Sequence, residues 1–87
     1  MRRRKRPKPQ HLGAKLKAIR DKVGITQDEI VKRLQALGAD ETLHSGYVAD
    51  YETNGSREPS LLTLLAYSKL SGVSINVLVD DELDYKP

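Results

Sequence analysis

Apolar residues recur every three or four positions along most of the chain, a spacing that places them on one face of an α-helix. The first such stripe predicts a helix stopped by Gly24, and its members are Leu12, Leu16, Ile19 and Val23. No long stretch alternates between apolar and polar residues with a period of two. The pattern therefore predicts an all-α fold.

A second helix is predicted to begin at a capping box, in which Thr26 serves the helix start and Glu29 reaches back to it. Its apolar stripe is Ile30, Val31, Leu34 and Leu37. Gly38 closes this helix, and residues 39–43 are predicted to form a loop.

The third predicted helix lies in the stretch HSGYVADYE, which runs from His44 to Glu52 and buries Val48 and Tyr51. Residues 53–59 are predicted to form a loop, because Asn, Gly, Ser and Pro favour turns.

Two serines precede the remaining helices: Ser60 caps a fourth helix that Gly72 ends, and Ser74 caps a short fifth helix. The residues of the fourth helix predicted to face inward are Leu61, Leu64, Leu65 and either Tyr67 or Leu70. Those of the fifth helix are Ile75, Leu78 and Val79.

Length and composition fit one small domain of 87 residues. The absence of Cys excludes a disulfide framework and a thiolate metal site. No apolar run approaches the roughly 18 residues of a membrane span, and the start does not resemble a secretory signal. We expect a cytoplasmic protein with a disordered basic arm (1–11), a folded domain (12–79) and an acidic, solvated tail (80–87).

Charge is distributed unevenly along the chain. Residues 1–22 hold ten Lys or Arg and one acidic residue, whereas residues 23–87 hold five Lys or Arg and eleven acidic residues. Six of the basic residues form the arm: Arg2, Arg3, Arg4, Lys5, Arg6 and Lys8. The concentration of positive charge at the N-terminal end points to an anionic partner, so the arm is predicted to lie on nucleic acid. The alternative is a solubilising tail or a targeting signal.

Catalytic chemistry finds little support in the sequence. The only histidines, His11 and His44, have no partner at ligand or triad spacing. The acidic residues 80–84 lack the spacing and central Gly of a calcium loop. We therefore expect a protein that is not an enzyme and needs neither a metal nor a cofactor.

Two motifs together resemble a known family. They are GITQDE at residues 24–29 and YETNGSREPS at residues 51–60, set among the apolar stripes above. The chain resembles the lambda-repressor/Cro-type helix-turn-helix domains, which form the xenobiotic-response-element group of bacterial and phage regulators, over residues 12–79. The resemblance implies a compact five-helix fold whose second and third helices form the DNA-binding unit. The turn at residues 38–43 is longer than the family's usual turn, and the spacing from Glu52 to Gly55 is one residue longer.

The start of the third helix offers small or hydrogen-bonding side chains, as a helix lying in the major groove requires. The residues predicted to contact bases are His44, Ser45, Gly46, Tyr47 and, by family position, Asp50. Four of them have an alternative explanation. Ser45 fits an N-cap, Gly46 a frayed first turn, Tyr47 the core and Asp50 a solvated surface.

The resemblance also assigns contacts that carry no sequence information. It implies an ion pair between Arg20 and Glu52, which neutralises the second acidic residue of the third helix. It implies phosphate contacts by Gln27, Asn54 and Arg57, in addition to the arm.

These features predict a sequence-specific regulator of transcription that binds double-stranded DNA, a repressor acting as a homodimer. One alternative is an antitoxin or adaptor whose helical domain mainly binds a protein partner. Another is a non-specific nucleic-acid binder driven by the arm.

Overall fold

Five α-helices form the regular structure of residues 9–86, the part of the chain that the computed structural model describes. They are α1 (Leu12–Val23), α2 (Gln27–Ala36), α3 (Ser45–Glu52), α4 (Leu61–Ser71) and α5 (Ile75–Val79). The described residues contain no strand, so the predicted all-α class is confirmed. Within them, no helix is both long and apolar enough to cross a membrane. Most of the predicted basic arm, residues 1–8, lies outside the described residues.

Local signals set the helix ends. The capping box at α2 is present, because Thr26 Oγ1 accepts from the Glu29 backbone N–H (3.1 Å) and Glu29 Oε1 accepts from the Thr26 N–H (2.8 Å). These bonds stabilise the ionised carboxylate, so the pKa of Glu29 lies below its usual value. Gly24 ends α1 at φ 80°, a left-handed conformation that costs glycine little.

The core lies where α1 packs on α3 and α5 while α2 packs on α3 and α4. Its fully buried residues come from all five helices: Leu16, Ile19, Ile30, Leu34, Val48, Ala66, Tyr67 and Leu78. The Tyr67 hydroxyl has no hydrogen-bond partner among residues 9–86, and burial raises its pKa well above the usual range. The packing of the helices holds α3 from two sides, by α1 and by α2.

The inward face predicted for α4 is right in part. Tyr67 is fully buried and Leu64 and Leu70 pack against the core, but Leu61, which was also predicted inward, is 71% exposed. Thr63 and Ala66, which were not predicted, complete the buried face. In α1, the last member of the apolar stripe, Val23, is exposed.

The C-terminal segment is solvated only in part. Glu82 and Asp84 are exposed, as predicted, whereas Asp81 is half-buried. Asp81 accepts hydrogen bonds from the backbone N–H groups of Gln10 (2.8 Å) and His11 (3.0 Å). His11 precedes α1 without a side-chain cap, so a residue 70 positions away supplies the acceptors. These bonds lower the pKa of Asp81. Residues 9–11 therefore belong to the folded domain rather than to the arm, and Pro9 is buried.

Candidate nucleic-acid interface

Helix α3 divides into an inward face and an outward end. Val48, Tyr51 and Glu52 are buried against the rest of the protein. His44 and Gly46, at the start of the helix, are exposed, and Ser45 and Tyr47 are half-buried. The four residues predicted to contact bases at this end are therefore brought together at an accessible place.

The cap of α3 is His44, not Ser45. His44 Nδ1 accepts from the backbone N–H of Gly46 at 3.1 Å, and Ser45 is the first helical residue. The alternative role of Ser45 as N-cap is thus wrong. A capping acceptor satisfies one of the free N–H groups at a helix start, so His44 helps to define where α3 begins.

Gly46 leaves space for that cap. A Cβ atom at position 46 would lie 2.9 Å from His44 Cε1 and 3.1 Å from His44 Nδ1. Both distances are too short for the ring to remain in place. The protein itself therefore gives a reason for glycine here, one that the sequence analysis did not consider.

Three planar side chains meet outside α3. The ring centroids of His44 and Tyr47 lie 3.9 Å apart at 38°, and Arg57 Cζ lies 4.1 Å from the Tyr47 ring centroid. A guanidinium over an aromatic face is attracted by the ring quadrupole. Tyr47 thus belongs to this surface group while its half-buried side chain also packs against the core, and the loop after α3 places a cation beside it.

Asp50 folds the loop after α3. Its Oδ2 atom accepts from the Arg57 backbone N–H at 2.7 Å, and its carbonyl accepts from the Gly55 N–H at 2.8 Å. A Cβ at Gly55 would collide with the Asp50 carboxylate. Asp50 is therefore not a simple solvated residue. Its carboxylate holds the loop after α3, so its predicted contact with a base gains no support.

Asn54 is also engaged inside the domain. Its Oδ1 accepts from the Gly13 N–H (3.2 Å), and its Nδ2 donates to the Gln10 carbonyl (2.9 Å). It adopts φ 55°, which asparagine tolerates better than most residues. The predicted phosphate contact is corrected accordingly, because both ends of the amide hold the start of α1.

The ion pair between Arg20 and Glu52 is present. Arg20 Nε donates to Glu52 Oε2 at 2.7 Å and Arg20 Nη2 donates to Oε1 at 3.0 Å, with the Glu52 side chain only 3% exposed. The hydrogen bonds that Arg20 donates to the Glu52 carboxylate raise the pKa of Arg20 despite its partial burial. Gln27 Nε2 donates to the same carboxylate at 3.2 Å, so its amide is engaged by α3, and its predicted phosphate contact gains no support. This network joins α1 and α2 to the buried end of α3.

Gln35 is a residue that sequence reasoning missed. Its Nε2 amide donates to the carbonyls of Asp40 (3.3 Å), Glu41 (3.1 Å) and Leu43 (3.1 Å), which span the loop between α2 and α3. Leu43 is buried in the core beneath it. The only sequence signal was a glutamine on the polar side of α2, which has no distinguishing pattern.

Comparisons with family models, with curated proteins and with solved structures found no match to this chain. The function is therefore argued from the geometry of α3 and from the charges around it.

Proposed function

We propose that the protein is a sequence-specific DNA-binding regulator that uses α2 and α3 as a helix-turn-helix of the lambda-repressor/Cro type. The observation that carries this proposal is the division of α3. Its far end is locked into the domain by Val48, Tyr51 and Glu52, while its first turn is accessible and polar. Such a helix can enter a groove as a rigid probe.

Affinity and specificity come from different residues. Ser45, Tyr47 and His44 meet base edges, and Arg57 lies beside them with a charge suited to a phosphate. The six Lys and Arg of residues 2–8 add sequence-independent attraction. The acidic residue Glu52 does not oppose binding, because Arg20 neutralises it inside the domain.

A homodimer acting as a repressor on two half-sites is the form of this function that we propose. A second candidate function is that of a protein-binding module, an antitoxin or adaptor. It is favoured by the exposed Leu61, which lines an apolar cavity of about 270 Å³ together with Pro59, Ile75 and Val79, and by the exposed Leu62 next to it in the chain. Exposed apolar groups beside an apolar cavity are typical of association surfaces.

Selection from a random duplex pool tests the proposal. The full chain should enrich a motif with two-fold symmetry, and enrichment of no sequence would instead favour the protein-binding or non-specific alternatives. Ser45→Ala and Tyr47→Phe should each weaken discrimination by roughly 1–3 kcal/mol if the lost hydroxyl contacts a base. Ser68→Ala, on half-buried α4 surface, is the control and should leave the motif unchanged.

Removal of residues 1–8 tests whether the arm supplies affinity while α3 supplies specificity. Affinity should fall for every duplex, and the slope of log K against log salt should become shallower by roughly 0.9 per lost phosphate contact. The ranking of sequences should survive. Loss of the ranking on arm removal would place specificity in the arm and contradict the role of α3.

A further inference from the structure

The cap of α3 fixes where the His44 imidazole carries its proton. The Gly46 backbone N–H can only donate, so the His44 Nδ1 that accepts from it at 3.1 Å must hold a lone pair. A neutral imidazole carries one N–H, which therefore belongs to Nε2. The ring is a hydrogen-bond donor at its other nitrogen.

The neighbours of His44 hold this ring in one orientation. The Tyr47 ring lies against it at a tilt of 38°, with the ring centroids 3.9 Å apart. The missing side chain of Gly46 leaves room for the Cε1 and Nδ1 atoms of His44. Among residues 9–86, the side-chain hydrogen bonds of His44 involve Nδ1 only. The exposed residue thus presents one fixed N–H at the accessible start of α3.

We infer that His44 is a donor-only specificity residue, which selects a base that offers a hydrogen-bond acceptor in the major groove. This inference rests on the proposed function. Guanine offers N7 and O6, adenine offers N7 and thymine offers O4, whereas cytosine presents only its N4 amino donor. His44 therefore rejects cytosine at the position it meets and favours guanine, whose edge carries two acceptors.

The same ring thus has two roles, which one substitution separates. Asp is among the best N-cap residues and, when ionised, only accepts hydrogen bonds, so His44→Asp keeps an acceptor for the Gly46 N–H and offers a base no donor. His44→Ala removes both. The matched control is His11→Asp, which adds the same charge, because His11 is exposed and its side chain makes no cap.

Duplex selection with the four proteins tests the inference. We expect the wild type and His11→Asp to enrich one motif. We expect His44→Asp to lose the wild-type preference at one base pair of each half-site, with discrimination there falling roughly fivefold to tenfold. His44→Ala should lose the same preference and also melt at a lower temperature, whereas His44→Asp should melt close to the wild type.

An independent test needs no DNA. Imidazole nitrogen NMR of the free protein near pH 8 should show His44 with a bare Nδ1 and a protonated Nε2. A proton on Nδ1 would overturn the inference.

The selection also separates failure of the inference from failure of the proposed function. A wild-type motif that His44→Asp leaves intact at every position would overturn the inference alone. Enrichment of no motif by the wild type would contradict the proposed function, and the inference with it.

Discussion

Arg20 and Lys15 are cations of the same helix, α1, yet the protein satisfies them differently. Arg20 meets a carboxylate, Glu52, in a partly buried ion pair. Lys15 is 7% exposed, and its Nζ donates to two backbone carbonyls, those of Val77 (2.7 Å) and Asp80 (3.0 Å). The C-terminal end of α1 is thus held by an ion pair. Its N-terminal end is held by side chains that form hydrogen bonds with backbone groups.

The two ends of α1 differ in the kind of group that is left unpaired when a contact is lost. Among residues 9–86, loss of Arg20 leaves the buried Glu52 carboxylate with only the Gln27 amide as a side-chain partner. Loss of Lys15, Asn54 or Asp81 leaves unpaired backbone groups, which are neutral and therefore less costly to desolvate. The C-terminal end of α1 should accordingly be the more sensitive one, although more side chains converge on the N-terminal end.

Arg20→Ala should have the largest effect. Because Glu52 is 3% exposed and would lose its charge partner, the free energy of unfolding should fall by about 3–5 kcal/mol. Urea denaturation measures this loss. The control is Lys17→Ala, whose partner Asp21 is exposed, and which should cost about 0–1 kcal/mol. Equal losses for the two variants would show that the buried ion pair does not hold α1 to α3.

Lys15→Met should have an intermediate effect. Met keeps the apolar stem but leaves the carbonyls of Val77 and Asp80 without the ammonium donor. Hydrogen bonds to charged groups contribute about 1.5–3 kcal/mol, so we expect a loss of about 2 kcal/mol by urea denaturation. Lys17→Met provides the exposed control. A Lys15→Met variant as stable as the wild type would mean that burial of the stem, rather than the ammonium, matters here.

Asn54 allows hydrogen bonding to be separated from backbone conformation. Asn54→Ala loses the bonds to Gly13 and Gln10 and places Ala at φ 55°, for a total of about 1–2 kcal/mol. Asn54→Gly loses the same bonds but tolerates the left-handed conformation, so it should be the more stable of the two variants by thermal melting. The reverse order would contradict a backbone cost at this position.

Asp81 should have the smallest effect, and one that depends on pH. Its folded-state pKa is lowered by the N–H groups of Gln10 and His11, so its contribution to stability is present above its unfolded pKa of about 3.9 and is lost as pH falls through the lower folded value. The melting temperatures of the wild type and Asp81→Ala should therefore differ at neutral pH and converge on acidification. Asp84→Ala, which removes an exposed carboxylate from the same segment, is the control and should melt close to the wild type at neutral pH.

Local signals explain the parts of the fold that the sequence predicts. Thr26, Glu29, Ser60 and Ser74 cap the helices as expected, because a cap depends on residues a few positions apart. The face of α4 was not predictable in this way. Leucines occur on several sides of that helix, so periodicity cannot choose among them, and packing against the other helices decides that Leu61 faces outward.

The candidate site follows the same rule. The accessible start of α3 and the pair of Arg20 with Glu52 were predicted, by helical spacing and by resemblance. The contacts of Asp50, Asn54 and Asp81 were not, because each side chain binds backbone N–H or carbonyl groups. Every residue carries such groups, so no residue type in the sequence marks the partner.

Gln35 has a further consequence, for the heat of association. One side-chain amide already ties three carbonyls of the loop that leads into α3, and Asp40 accepts from the Thr42 N–H in the same loop at 3.0 Å. In the DNA complex that we propose, α3 then docks without a folding step in this loop. The heat-capacity change of the proposed association should therefore scale with the apolar area covered, without the larger negative value that accompanies coupled folding.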